Sequence, residues 1–171
     1  MKPLLIVDGY NVIGAWSEVK RRGWDINESR DRLLHLLEDH AGYTEEEIIL
    51  VFDGYMSDRR LTTEEKHGSV TLVFTKHAET ADSYIEYLVA HTPKYRSVRV
   101  ATSDGLEQSQ VLSTGAVRLT SRELLIELQH TRSRGMSFHR NDILGKEHRP
   151  LSSRLNEDTL AQLEKMRRED L

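Results

Sequence analysis

Leu4-Leu5-Ile6-Val7-Asp8-Gly9-Tyr10-Asn11-Val12-Ile13 is the stretch from which the rest of the chain is read. Four aliphatic residues in succession, with no polar alternation, suit a strand covered on both faces, as strands of a parallel sheet are. The run ends on a carboxylate, and Gly9 lets the backbone turn sharply after it. Asp8 is therefore expected at the carboxyl tip of a buried strand, the edge at which open α/β sheets bind ligands. That edge becomes a site only if other strands bring further chemistry to it.

The next apolar run, Ile48-Ile49-Leu50-Val51-Phe52, repeats the design by ending on Asp53-Gly54-Tyr55. Between the two lies a crossover helix beginning at Asn27, with Asn27 or Ser29 as its cap, Leu33, Leu36, Leu37 and Ala41 on one face, and Gly42 as a stop signal. Trp16 to Asp25 reads as a loop or a helix start and carries the basic cluster Lys20-Arg21-Arg22. Met56 to Ser69 is polar and is expected to be an exposed loop bearing Arg59, Arg60 and His67. A third strand covers Val70 to Thr75. Glu79-Thr80-Ala81-Asp82 then opens a helix with Asp82 in its first turn. A fourth strand, Val98 to Thr102, runs into Ser103-Asp104-Gly105, followed by a helix through Leu106 to Leu112 and a fifth strand at Ala116 to Leu119. Thr120 and Glu123 form a capping box for a helix from Arg122 to Gln129. This alternation predicts an α/β fold in three layers, α/β/α, around a mostly parallel sheet of about five strands with right-handed crossovers.

The chain has 171 residues, no cysteine and a formal charge of -4. Its length allows a core without disulfides, and the lack of cysteine excludes a thiol nucleophile and Cys-based zinc sites. No segment has the length and apolarity of a signal core or a membrane span, so a soluble, cytoplasmic protein with no membrane partner is expected. Charge is unevenly spread. From His130 to Arg154 there are six Lys or Arg against two acids, a local +4, which leaves -8 on the remainder. We read residues 1–130 as the main domain and 131–171 as an irregular basic arm followed by an amphipathic helix (Leu160, Leu163, Met166) packed on that domain. A basic surface joined to an acidic body suits a polyanion approaching an acidic centre.

The acidic centre is the chemical core of the reading. Asp8, Asp53 and Asp104 fall at strand ends on one edge, and Asp82 joins them from a helix that starts there. Each aspartate alone is an ordinary cap or turn residue; four arriving together would raise one another's pKa unless a cation held them ionised. Hard oxygen donors favour Mg²⁺ or Mn²⁺, and a magnesium ion accepts one or two carboxylates beside waters and substrate phosphate oxygens. Such a site lowers the pKa of a water and offsets charge on a leaving oxygen, which is the chemistry of phosphodiester hydrolysis. Glu79 either reaches the metal or supports the site. Asn11 either holds Asp8, contacts phosphate or starts a helix. Thr102 and Ser103 offer orienting hydroxyls, and Tyr10 and Tyr55 either stack on bases or pack inside. The eight histidines form no helical metal pair.

Taken together, Asp8-Gly9-Tyr10-Asn11-Val12-Ile13, Val51-Phe52-Asp53-Gly54-Tyr55, Glu79-Thr80-Ala81-Asp82-Ser83-Tyr84-Ile85 and Ala101-Thr102-Ser103-Asp104 resemble the YacP-like branch of the NYN domains, relatives of the PIN nucleases. The match is collinear from Met1 to about Arg140. The resemblance implies a PIN-like fold and a metal-dependent endoribonuclease, associated with the ribosome and cutting mRNA during translation. Carried over motif by motif, Asp8, Asp82 and Asp104 become the metal acids, with Asn11, Asp53 and Glu79 as further catalytic candidates. Arg132, Arg134, Arg140, Lys146 and Arg149 become the RNA or ribosome contacts.

The rival from another class is a ribosome- or RNA-binding module with a PIN-like fold and no catalysis. A phosphatase with an aspartate nucleophile usually has a second acid two residues on, where this chain has Tyr10 and Tyr55. Dinucleotide binding lacks its Gly-x-Gly-x-x-Gly.

Overall fold

The computed structural model describes residues 1–102 and 115–147, with side chains as far as 136. The chain divides into two compact units, Met1–Arg132 and Ser133–Leu171. The first holds a six-stranded sheet. In chain order its elements are β1 (Leu4–Asp8), α1 (Gly9–Ala15), α2 (Ser17–Arg22), α3 (Ile26–Thr44), β2 (Glu47–Phe52), β3 (Thr63–His67), β4 (Val70–Phe74), α4 (Ala81–His91), β5 (Val98–Ala101) and β6 (Val117–Leu119). The last helix, α5 (Ser121–Glu147), begins in the first unit and continues into the second.

The strands lie in the order β3-β4-β2-β1-β5-β6, all parallel except β3. β1 is interior, paired with β2 on one side (Ile6↔Ile49) and β5 on the other (Ile6↔Val100), and all five of its residues are buried. From β1 the chain winds out to β2 and β4, then crosses back to β5 and β6. Right-handed crossovers in opposite directions put their helices on opposite faces. Strand alternation sorts the core to match. Leu5, Val7, Ile48, Leu50 and Phe52 pack with α1, α3 and α5, whereas Leu4, Ile6, Val51 and Val73 pack with Ala81, Ile85 and Val89 of α4. The reversal of direction lies between β1 and β5, so Asp8 stands at the switch point where ligands bind such sheets.

Two expectations are corrected. Met56 to Ser69 is not loop throughout, because β3 pairs antiparallel with β4 (Glu65↔Leu72) across the two-residue turn Gly68-Ser69, with Gly68 at φ 61°. Glu64, Glu65 and Lys66 are exposed on this edge strand, so no apolar alternation marks it, and charged residues there discourage pairing with other chains. The basic arm is also not irregular from Thr131, since α5 is helical to Glu147. Gly135 weakens a helix by about 1 kcal/mol without breaking it, and the first proline that would break it is Pro150. The expected helices near Leu106 and Leu160 lie outside the described residues.

Smaller differences follow from local capping. α3 is capped by Asp25, whose side chain accepts the Glu28 N–H at 2.8 Å, rather than by Asn27 or Ser29. The Thr120–Glu123 capping box forms as expected, with reciprocal bonds of 2.8 and 3.1 Å. No helix among the described residues is long and apolar enough to cross a membrane.

Close packing at the carboxyl edge demands glycine twice. A Cβ on Gly9 would stand 2.4 Å from Cε1 of the buried Phe52 ring, and one on Gly54 would stand 1.8 Å from the Thr75 carbonyl oxygen. Gly14, in α1, has open space around it. Urea unfolding should therefore show Gly54→Ala destabilised by about 3 kcal/mol, as expected for an overpacked site whose obstacle is backbone. Gly14→Ala should be stabilised by about 0.5 kcal/mol through the helix preference of alanine. Equal stabilities for the two variants would contradict this packing of the edge.

Candidate active site

Asp8 ends β1 and caps α1 at the same time. It is 6 % exposed. Its Oδ1 accepts the backbone N–H of Asn11 at 3.4 Å, and its Oδ2 accepts the Asn11 side-chain amide at 3.2 Å. The same amide nitrogen donates to Thr102 Oγ1 at 3.4 Å, beyond the end of β5. Asn11 thus ties the start of α1 to the tip of the neighbouring strand and fixes the Asp8 carboxylate between them. Burial pushes the Asp8 carboxyl above its ordinary value, the two bonds from Asn11 draw it back, and the charges of Asp82 and Asp53 push it up again. The net direction is upward.

Asp53 is coupled to Asp8 but is anchored differently. Its Oδ1 accepts the Tyr55 N–H at 2.7 Å and its Oδ2 the Ala81 N–H at 3.2 Å, so both oxygens are engaged in joining the turn after β2 to the start of α4. Asp82 lies in the first turn of α4, partly buried, behind the Thr80 cap. Glu79 belongs to a second seam. Its Oε2 accepts the Thr62 hydroxyl at 2.5 Å, and its carbonyl accepts the hydroxyl of the buried Thr75 at 2.8 Å, while Thr75 Oγ1 accepts the Gly54 N–H at 2.7 Å. Ala78, just before it, holds a left-handed φ of 62°, a backbone state that a non-glycine residue keeps only when its surroundings impose it. Sequence reasoning gave Thr75 only as the end of a strand and Thr62 only as part of a loop, because a threonine hydroxyl next to a strand has no pattern that marks it for a site.

Asp53 and Asp82 thus lie close enough to Asp8 for their charges to act on it. Among the described residues no three acidic or histidine side chains form a ready cage for one ion. Asp104 and Ser103 lie outside the described residues, as does Arg149. Arg132 and Arg134 are exposed on α5, and Arg140 and Lys146 belong to the same helix. Tyr10 is partly buried against Phe52, with ring centroids 4.9 Å apart, whereas Tyr55 is exposed.

The YacP-like NYN domain matches residues 5–168. The chain belongs to the YacP-like NYN domain family. It is 35% identical over 170 residues to YacP of Bacillus subtilis (strain 168), a protein described as uncharacterized, and the match covers 98% of each chain. It is similar to a crystal structure of Rae1 (YacP) from Bacillus subtilis, with a TM-score of 0.69, 35% identity, and coverage of 100% of this chain and 97% of that one. A mutant of that protein gives a TM-score of 0.68, with 86% of each chain covered. The resemblance read from the motifs is therefore family membership, and the fold is the PIN-like, nuclease-type fold of NYN domains.

A raised carboxyl pKa has a definite consequence for stability. The folded chain holds the Asp8 proton more tightly than the unfolded chain does, so this group's contribution to stability falls as pH rises from the ordinary value of 3.8 through the folded value. In EDTA at pH 7, Asp8→Asn should therefore melt at a higher temperature than the wild type. The gap should close as the pH is taken below 3.8. A variant that melts lower at pH 7 would mean that the charge on Asp8 stabilises the fold.

Proposed function

We propose that this protein is a metal-dependent endoribonuclease that hydrolyses phosphodiester bonds of mRNA in association with the ribosome. The observation that carries the reading is the meeting of Asp8, Asp53 and Asp82 from three different elements at the switch point of a nuclease-type sheet, with Asp8 buried and its carboxyl destabilised in the ionised form.

The donor set fits a hard divalent cation. All candidates are carboxylate oxygens, and the ionised Asp8 lacks a cationic partner among the described residues. Mg²⁺ needs only one or two protein carboxylates and fills its remaining positions with water and phosphate oxygen, so it does not require a cage of three side chains. Asp8 and Asp82 would hold it, with Asp104 as the further acid carried over from the family motif. When bound, Mg²⁺ or Mn²⁺ supplies positive charge opposite the scissile phosphate and lowers the pKa of a nearby water.

The chain's own residues supply position and proton transfer. Asn11 fixes the Asp8 carboxylate, and the bonds of Asp53 to Tyr55 and Ala81 hold the start of α4, and with it Asp82, against the tip of β2. A water adds to phosphorus, the bond from phosphorus to the ribose 3′ oxygen breaks, the proton lost by the water passes to a carboxylate of the cluster, and the departing 3′ oxygen takes up a proton from solvent water. The products are a 5′-phosphate and a 3′-hydroxyl, and no covalent enzyme intermediate forms. The exposed arginines of α5, Arg132 and Arg134, continued by Arg140, Lys146 and Arg149, would contact RNA or the ribosome through phosphates.

The test is cleavage of an end-labelled mRNA, alone and in translating ribosomes, by the wild type and by Asp82→Asn, with Mg²⁺, Mn²⁺ or EDTA. Cutting should require the metal, and Asp82→Asn should lower it by at least about 100-fold. A requirement for ribosomes would place the activity on the translation machinery. Failure to cut in every condition, with co-sedimentation on ribosomes intact, would replace the nuclease by the binding module.

A further inference from the structure

Five arginines of the first unit, Arg21, Arg22, Arg32, Arg96 and Arg99, form ion pairs with glutamates, at distances from 2.6 to 3.7 Å. Arg30 and Arg59 pair with no acid among the described residues. Arg30, in the second turn of α3, donates to the Tyr10 hydroxyl at 3.4 Å and to the Asn27 side-chain carbonyl. Arg59, in the connection between β2 and β3, donates to Thr63 Oγ1 at 3.1 Å. Both guanidiniums instead lie at one aromatic ring, with Arg59 4.6 Å and Arg30 5.5 Å from the Phe74 centroid, and Arg30 also 5.9 Å from Phe52.

These rings belong to the acidic edge. Phe52 precedes Asp53, stacks on Phe74 at 5.5 Å and lies against Gly9, the residue after Asp8. Tyr10, the acceptor for Arg30, follows Gly9 directly. Two cations are thus gathered at rings that adjoin the tips of β2 and β4, they pair with no acid among the described residues, and neutral groups position them. A ring face attracts a guanidinium without neutralising it. Two like charges brought to one ring repel each other, and an anion placed between them removes that repulsion.

We propose that Arg30 and Arg59 form a subsite for a backbone phosphate of the RNA, next to the bond presented to the acidic edge. The inference rests on the ribonuclease reading and deepens it. An acidic edge repels a polyanion, so a phosphate can be brought up to it only if positive charge flanks the approach. Planar guanidiniums suit this task because they offer paired N–H donors to phosphate oxygens and keep their charge on an aromatic surface. Unlike the arginines of α5, they are placed to fix one phosphate relative to Asp8 rather than to raise general affinity.

Binding of a short fluorescein-labelled single-stranded oligoribonucleotide, followed by anisotropy in EDTA over a salt series, tests the subsite without any cleavage. The full-length wild type would be compared with Arg30→Gln, Arg59→Gln and Arg30→Lys. Each Gln variant should bind about 5-fold or more weakly and lose about 0.7 from the slope of log affinity against log salt, the amount expected for one phosphate contact on a single strand. Arg30→Lys should keep the slope and bind less tightly than the wild type, because charge is retained and the planar fork is lost. Arg59 lies on an exposed connection, so its variant guards against a folding defect in Arg30→Gln. Wild-type slope and affinity in both Gln variants would overturn the subsite and leave the nuclease reading standing. Absence of salt-dependent RNA binding by the wild type would overturn both.

Discussion

A carboxylate is buried at the tip of an interior strand, and much of the carboxyl edge is arranged around that placement. Burying an ionised group is unfavourable unless something compensates it. Among the described residues Asp8 receives two bonds, both from Asn11, and two further aspartates act on it from neighbouring elements. Asn11 can reach it because α1 starts immediately after β1, which brings the third residue of the helix back over its cap. Gly9 makes that immediate start possible, since the Phe52 ring occupies the space a side chain would need. Strand, turn, helix and ring at this corner each constrain the others.

The acids of this edge are not equivalent, and their hydrogen bonds explain why. Asp53 engages both oxygens with backbone N–H groups, which makes it a fastener between β2 and α4. Glu79 is tied into a seam with Thr62 and Thr75. Asp8 is held by amide donors while burial and neighbouring charge work against its ionisation. A cation arriving at the edge would therefore gain more from Asp8, held by one backbone and one side-chain amide of Asn11, than from Asp53, whose two oxygens both take backbone N–H groups. The same asymmetry separates the two acids: losing Asp53 would remove two bonds that hold α4, whereas neutralising Asp8 would remove a charge that burial disfavours.

Most of the fold was legible because its signals are local and redundant. Unbroken aliphatic runs ending on Asp8 and Asp53 announced parallel strands, and Thr120 with Glu123 announced a helix start. β3 escaped because an edge strand has little apolar surface to bury, although Gly68-Ser69 before Val70 was a usable hairpin signal. The length of α5 escaped because helical continuation past Gln129 does not depend on an apolar stripe, and Gly and Ser were read as a stop where only proline would have enforced one. At the site, Asp8, Asp53 and Asp82 were visible as acids at strand and helix ends. The sequence reading already set Asp8 and Asp82 apart from Asp53, but not the bonds that anchor Asp53, because those depend on which backbone N–H groups face it. Arg30 was hidden for a related reason: within an amphipathic helix an arginine between apolar positions reads as solvent-facing, and only the structure shows it against the rings of Phe52 and Phe74.

The placement of positive charge follows from what an acidic edge can tolerate. Arginines paired with the site's own aspartates would satisfy the carboxylates in the absence of metal and compete with any cation. Arginines far from the edge would attract a polyanion without orienting it. Holding guanidiniums on neutral aromatic and hydroxyl partners avoids both outcomes, since the aromatic face positions the cation and leaves its charge available. Phe74 takes both guanidiniums and Tyr10 accepts from Arg30, and neither arginine pairs with an acid among the described residues. On the proposed reading, the edge would recruit a divalent cation through its acids and keep these guanidiniums for phosphate. The core residues just beneath the tips of β1, β2 and β4 thus set the electrostatics of the surface above them as directly as the charged residues do.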